Sequence, residues 1–373
     1  MDLDYLRSQI DLVDDELAEL YVKRLELVKK VGEFKKQNKV GVEHGDREKK
    51  ICDRLKGRFG EEYWAAIDFL YNVIFTYSKM EQNKLNADLS EFEFKPQGSE
   101  FFDESSVAIA GTSGAYAEQA AKKLFKNIVP VFYKHFGDVF DAVAKGKQKF
   151  GVVPIENSTA GSVNEVYDLL KEYNLKIVAA DRLTVSHCLL GLKNSQIDKI
   201  TNVYSHPQAL YQCKKFIESN SLVAVEESNT AVACEKISKM GDPLSAAIGS
   251  EVNAKKYGLK ILKGNLQDAE HNFTRFIVIS REMTVTKGAD RLSLMVSIKH
   301  KPGTLFQLLG IVGGFGVNLL KLESRPIPDQ EFRFMFYLDI QCDVFDRKTA
   351  ELLASIKAYC DTMTVLGAYG EKL

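Results

Sequence analysis

The residue types that could do chemistry fall into three groups along the 373-residue chain. In the first, Leu3, Leu6, Ile10, Val13, Leu17, Leu20, Leu27, Val31 and Phe34 repeat at alternating steps of three and four, and Arg24 interrupts the series. Those steps are the a and d positions of roughly four heptads, and a charge at an a position costs stability unless it is paired or useful. Arg7 and Lys35 fall at e positions beside the stripe, Arg47 and Glu48 open a second helix, and Ser78 and Gln82 stand one turn apart on a third. Cations with hydroxyl and amide donors can grip carboxylates and stabilise charge developing on an oxygen. Each residue also has a plainer reading: Arg24 as a register-setting polar residue, Arg7 and Lys35 as surface charge, Arg47 and Glu48 as capping charges, and Ser78 with Gln82 as a mildly polar helix face.

The second group sits where strands begin or end. Pro154-Ile155-Glu156-Asn157-Ser158, Tyr204-Ser205-His206-Pro207-Gln208 and Glu226-Glu227-Ser228-Asn229-Thr230 close strands, and Asn272-Phe273-Thr274-Arg275-Phe276 opens one. α/β proteins place their sites at such ends, although Asn, Ser and Thr also serve there as turns and caps. Gly111-Thr112-Ser113-Gly114-Ala115-Tyr116 turns from a strand into a helix without the G-x-G-x-x-G spacing, so it offers a generic anion-binding helix start rather than a nicotinamide site. In the third group Lys301-Pro302-Gly303-Thr304-Leu305 begins a helix and Leu322-Glu323-Ser324-Arg325-Pro326 ends a strand, which is also what ordinary loops look like.

The elements that must position these groups suggest a multidomain chain. Residues 1–86 lack proline and read as all-α, with a first helix of some 35 residues, roughly 50 Å long, that should dimerise through its apolar seam. Residues 87–105 are polar and aperiodic, a linker. From residue 106 to about 282 short apolar runs, such as Val107–Ala110, Gly151–Ile155, Lys176–Ala179 and Phe276–Ile279, alternate with helical stretches, predicting an α/β domain with a buried sheet. Residues 290–373 read strand, helix, strand, strand, helix, strand, which is the ferredoxin-like βαββαβ order.

Lys and Arg total 50 against 51 Asp and Glu, so no global field recruits nucleic acid or an anionic membrane. The start lacks an apolar signal core and no apolar run reaches membrane-spanning length, which predicts a cytoplasmic protein. Six scattered cysteines without C-x-x-C spacing fit reduced, packed thiols better than a disulfide frame or a zinc site. Neither a cofactor nor a metal is expected.

The helical group resembles the all-helical class of chorismate mutase. That family carries an Arg early in helix 1, an Arg in its middle, a Lys near its end, Arg-Glu opening helix 2 and Ser-x-x-x-Gln on helix 3; here these are Arg7, Arg24, Lys35, Arg47, Glu48, Ser78 and Gln82. His44 stands where the family often has an aspartate that contacts substrate. The resemblance implies the pericyclic conversion of chorismate to prephenate, which needs no nucleophile, base or metal. It places Arg7 and Arg24 on the two carboxylates, Lys35 and Gln82 at the ether oxygen and Glu48 at the ring hydroxyl, with Arg47 and Ser78 in support. It also sends Arg7 into a partner's site, so each site needs two chains.

Residues 106–282 resemble prephenate dehydratase, on Thr274-Arg275-Phe276, the segment 154–158 and Ser205-His206-Pro207-Gln208. The implied fold is two α/β lobes around a cleft, like a type II periplasmic binding protein, with an inner lobe at roughly 181–263. The implied reaction expels carbon dioxide and water from prephenate, with Thr274 donating to the leaving oxygen. Asn157, Ser205, Gln212 and Glu227 would orient substrate, and Arg275 and the Gly111–Gly114 turn would take its carboxylates. His206 is either an acid or, as a histidine before proline, a structural hydrogen-bonder.

The C-terminal segment resembles the regulatory ACT domain attached to such dehydratases. By that resemblance Gly303, Thr304 and Leu305, with Glu323, Ser324, Arg325 and Pro326, line a pocket for L-phenylalanine between paired domains, coupled to the dehydratase cleft. Homodimers would then form through both the N-terminal helices and the ACT domains, with dimer and tetramer left open. Two other architectures compete. A mutase fused to a prephenate dehydrogenase would need a dinucleotide motif, and a mutase fused to a two-lobed amino-acid sensor would lack dehydratase activity.

Overall fold

The computed structural model describes residues 2–41, 45–98, 104–269, 272–327 and 333–372, so His44 and part of the expected linker lie outside the described residues. The chain divides into two compact units, Met1–Lys95 with Leu292–Val365, and Pro96–Arg291 with Leu366–Leu373.

The first unit begins with α1 (Leu3–Asn38) and α2 (Gly45–Asn86). At Gly60 φ is 76° and ψ 179°, a non-helical pair that glycine adopts without a Cβ penalty, and it splits α2 into the expected second and third helices. Within the chain α1 turns Tyr21, Arg24, Leu25, Val28, Gly32 and Lys35 toward α2, which is a face of a, b and e positions. A Cβ on Gly32 would come within 3.1 Å of Leu85 Cδ1 and 3.3 Å of Gln82 Cγ, so glycine there lets α2 approach closely. The a/d stripe itself stays exposed, with Leu17 at 52 %, Leu20 at 63 % and Phe34 at 63 %.

The second unit holds two sheets. The outer one has strand order β5-β11-β3-β1-β2, built from β1 (Glu104–Ala110), β2 (Asn127–Tyr133), β3 (Phe150–Asn157) with the short β4 (Gly161–Ser162) beside it, β5 (Lys176–Thr184) and β11 (Phe273–Ser280). The inner one runs β10-β6-β9-β7-β8, from β6 (Cys188–Gly191), β7 (Asn202–Ser205), β8 (Val223–Glu226), β9 (Ser245–Gly249) and β10 (Lys260–Lys263). The chain leaves the outer sheet after Thr184 and returns at Phe273, a few residues later at the first crossing than the sequence suggested, because the run that pairs β5 with β11 continues to Leu183 and Thr184. The α/β layers have apolar interiors: Val107, Ile109, Phe150, Val152 and Val278 share one core, and Cys213 packs in another with Val203 and Ile248.

The remaining chain follows the expected order: β12 (Arg291–Ser297), a helix at Thr304–Gly314, β13 (Asn318–Pro326), β14 (Phe334–Gln341), a helix at Arg347–Tyr359 and β15 (Thr362–Tyr369). The strands lie β13-β14-β12-β15. Both helices pack on α2 inside the first unit, where the Phe69 and Phe306 rings are 5.3 Å apart and Gln307 Nε2 donates to Asn72 Oδ1 at 3.1 Å. The linker is partly docked rather than loose. Phe92 is buried, Lys357 sits 2.6 Å from Glu91, and the Lys357 ammonium caps the Phe92 ring at 5.6 Å.

The C-terminal domain does not run intact to residue 373 as expected. Gly367 pairs with Ile177, and β16 (Glu371–Lys372) runs parallel to β5. The physical reason is a charge cluster. Glu371, 1 % exposed, lies 3.1 Å from both Arg275 Nε and Arg182 Nε and 3.3 Å from Arg291 Nε, while Tyr369 accepts from Arg275 Nη2 at 2.9 Å. Removing the carboxylate leaves buried guanidinium groups uncompensated. Glu371→Ala is therefore expected to cost about 3–5 kcal/mol, read as a lower denaturant midpoint, and a midpoint equal to wild type would refute this account.

Candidate active sites

The helical site is assembled where α1 crosses the second half of α2. Arg24 Nη1 donates to Ser78 Oγ at 2.6 Å and packs 6.0 Å from the Phe75 ring, while Ser78 Oγ donates to the Ile74 carbonyl at 2.5 Å. One turn on, Lys35 Nζ donates to Gln82 Oε1 at 2.9 Å. Lys35, Ser78 and Gln82 are all buried. Burial pushes the Lys35 ammonium below its ordinary value and the Glu48 charge pulls the other way. Glu48 is half-buried and joined by a residue the sequence did not single out, Lys79, at 2.9 Å. Arg47 is exposed. Arg7 is not brought to this cluster: its guanidinium is exposed and lies 3.5 Å from Asp4 on its own helix.

The second site is a cavity of about 420 Å³ between the two lobes. Gly111 and Tyr116, Pro154 and Asn157, and Thr274 and Phe276 line it from the outer lobe, and His206, Gln212 and Asn229 from the inner. β3 and β11 place Asn157 opposite Thr274, so Asn157 Nδ2 donates to Thr274 Oγ1 at 2.9 Å. Accepting there leaves the Thr274 hydroxyl to turn its own proton into the cavity. Asn157 is fixed in turn: its Oδ1 accepts from Thr159 N and Oγ1 and from Ala160 N, and its Nδ2 also reaches Asn272 Oδ1 at 3.1 Å. Gln212 closes the network, donating to Thr159 Oγ1 at 2.6 Å and accepting from Asn272 at 3.1 Å and from His187 Nε2 at 3.0 Å.

His187 and Thr159 were not singled out in the sequence, and Tyr116 and Asn272 stood there only as members of a turn and a strand-opening cluster, without a role of their own. His187 is 2 % exposed with Tyr116 OH 3.3 Å from its Nδ1. Burial lowers its pKa, opposed by the Gln212 hydrogen bond, and the net lowering favours the neutral imidazole. Its sequence signal was slight, a single histidine before the apolar run Cys188–Gly191.

Three expected residues are placed elsewhere or otherwise engaged, and His206 takes the structural one of its two readings. Ser205 is fully buried and donates to the Ile248 carbonyl at 2.7 Å, joining β7 to β9. Glu227 is 2.5 Å from Lys236 and does not line the cavity. Arg275 lies on the face of β11 away from the cavity, since successive strand residues alternate, and serves the Glu371 cluster. His206 caps a helix, with Nδ1 accepting from Gln208 N at 3.2 Å. The Gly111–Gly114 turn already holds an anion of its own: Glu118 accepts from the Gly114 N–H at 2.6 Å.

In the C-terminal segment, Gly303, Thr304 and Leu305 line a cavity of about 350 Å³ with Phe334 and Phe336. Thr304 Oγ1 donates to the carbonyls of Lys299 and Lys301, at 2.8 and 2.9 Å, and pins the turn. Glu323, Ser324, Arg325 and Pro326 belong to β13 at the sheet edge and do not line this cavity within one chain.

Among the described residues no helix is long and apolar enough to cross a membrane. Residues 6–83 match the family model for chorismate mutase type II, and residues 107–284 that for prephenate dehydratase. A bifunctional chorismate mutase/prephenate dehydratase of Buchnera aphidicola subsp. Schizaphis graminum is 32 % identical over 99 % of this chain and 96 % of its own length. That of Escherichia coli K12 is 31 % identical over 98 % of this chain and 95 % of its own. Among solved structures, the prephenate dehydratase of Staphylococcus aureus Mu50 matches with a TM-score of 0.64 at 26 % identity, over 71 % of this chain and all of that one. Similarity of this extent, running through both sites, shows that the chain belongs to the family of bifunctional chorismate mutase/prephenate dehydratases.

Proposed function

We propose that the chain converts chorismate to prephenate in its helical domain and prephenate to phenylpyruvate in its two-lobed domain. In the first step Arg24, already oriented by Ser78, takes a substrate carboxylate, and the buried Lys35–Gln82 pair meets the ether oxygen as charge develops there. Glu48 accepts from the ring hydroxyl. Arg7, exposed near the start of α1, completes the site of a second copy, and the uncovered a/d stripe supplies the dimer surface. In the second step Thr274 hydrogen-bonds the departing C4 hydroxyl while the ring carboxylate leaves as carbon dioxide and the ring becomes aromatic. Asn157, Gln212 and neutral His187 hold that hydroxyl in place.

The observation that carries the two-step reading is the Asn157–Thr274 pair at the floor of a two-lobed cavity, because a sensor would need a grip on its ligand but no donor locked against a leaving group. At the C-terminal domain the Gly303–Leu305 helix start receives the carboxylate of L-phenylalanine, and the edge strand bearing Glu323, Ser324, Arg325 and Pro326 meets it from a paired domain. Purified protein given chorismate alone should form phenylpyruvate, more slowly when L-phenylalanine is added. Accumulation of prephenate without phenylpyruvate would sink the dehydratase reading in favour of a mutase fused to a sensor, and no turnover of either acid would sink both activities.

A further inference from the structure

Lys79 has no part in the mechanism above, yet it is paired with Glu48, one of the charges that mechanism uses. Lys79 follows Ser78 directly and precedes Gln82 by three, so it is turned about 100° from the Arg24 contact and faces the helix that carries Glu48. Its ammonium lies 2.9 Å from Glu48 Oε1 and 3.0 Å from Oε2, so both carboxylate oxygens are engaged. Lys35 on α1 also feels the Glu48 charge, as does Cys52 one turn further along the Glu48 helix. Two ammonium groups thus compete for one carboxylate. Lys35 is nevertheless directed onto Gln82 at 2.9 Å.

We infer that Lys79 is a positioning residue for the mutase reaction: it holds Glu48 away from Lys35, and so keeps Lys35 on Gln82 at the place where the ether oxygen arrives. Without it, Glu48 swings toward Lys35, which already feels its charge, and the two charges that should meet substrate neutralise each other. The pair itself is part-exposed, 29 % on each side, and such pairs contribute little to stability, so its value lies in geometry.

The inference rests on the reading of the helical domain as a mutase, and the test separates the two. Lys79→Met should lower mutase kcat on the order of tenfold, the effect of losing one charge-assisted contact, with KM changed less than kcat and the melting temperature retained. Lys79→Arg should restore most of the rate. In a Glu48→Gln background Lys79→Met should have no further effect, because the group it positions is gone. Dehydration of supplied prephenate serves as the internal control and should not move. A kcat within twofold of wild type, or a Lys79→Met loss that adds in full to that of Glu48→Gln, overturns the inference while leaving the mutase reading intact. A wild-type chain inert toward chorismate overturns both.

Discussion

Arg24→Ala should remove chorismate turnover by a factor on the order of 10³, the loss expected when a preorganised charge on the reacting species is deleted, while dehydration of added prephenate continues at its wild-type rate. The geometry makes the effect large. Arg24 is locked between Ser78 Oγ and the Phe75 ring, so its guanidinium is oriented before substrate arrives. The two rates are measured separately, by disappearance of chorismate and by formation of phenylpyruvate from supplied prephenate. Equal loss of both would mean that the two chemistries do not have separate sites. Arg24→Lys keeps the charge but not the planar fork that reaches Ser78, and should recover only a minor part of the rate.

Thr274→Ala should arrest the chain at prephenate, with mutase activity retained and dehydratase kcat reduced by about 10²–10³. Here the hydroxyl is deleted from the end of a fixed network, so Asn157 Nδ2 loses one acceptor but keeps Asn272, and the cavity floor stays in place. That separates catalysis from folding. Thr274→Ser restores the donor and should return most of the activity, since the Asn157 contact needs only the oxygen. Unaltered phenylpyruvate formation by Thr274→Ala would assign proton donation elsewhere, with His187 the next group to examine through its contact to Gln212.

Much of the helical site was legible because helices translate spacing into direction. Arg24 broke an apolar repeat, and Ser78 and Gln82 stood one turn apart on a single face, while their union in one site was what the resemblance to chorismate mutase implied. Lys79 could not be anticipated in the same way, since its importance depends on which helix lies beside it. In the two-lobed domain the strand-end clusters were visible, but a strand end does not say which side faces the cleft. Thr274 and Arg275 are neighbours in sequence and lie on opposite faces of β11, so one lines the cavity and the other joins Glu371 nearly a hundred residues away. Ser205 and Glu227 failed for a related reason: a polar residue at a strand end is consumed by whichever carbonyl or lysine the fold brings near.

What the sequence determined by itself is local and periodic: the all-α start with its apolar stripe and misplaced arginine, the buried strands, the βαββαβ order, and the residue types of both sites. Tertiary structure decided what each of those residues faces. It left the a/d stripe of α1 exposed and used the neighbouring positions for α2, docked the presumed linker through Phe92, and carried the last residues to β5 to pair three arginines with one carboxylate. It also joined Tyr116, His187, Gln212 and Asn157 into one line ending at Thr274. Periodicity along the chain fixes direction within an element, whereas the partners of a buried polar group are set by elements distant in sequence, and hydrogen bonding requires that such partners be found.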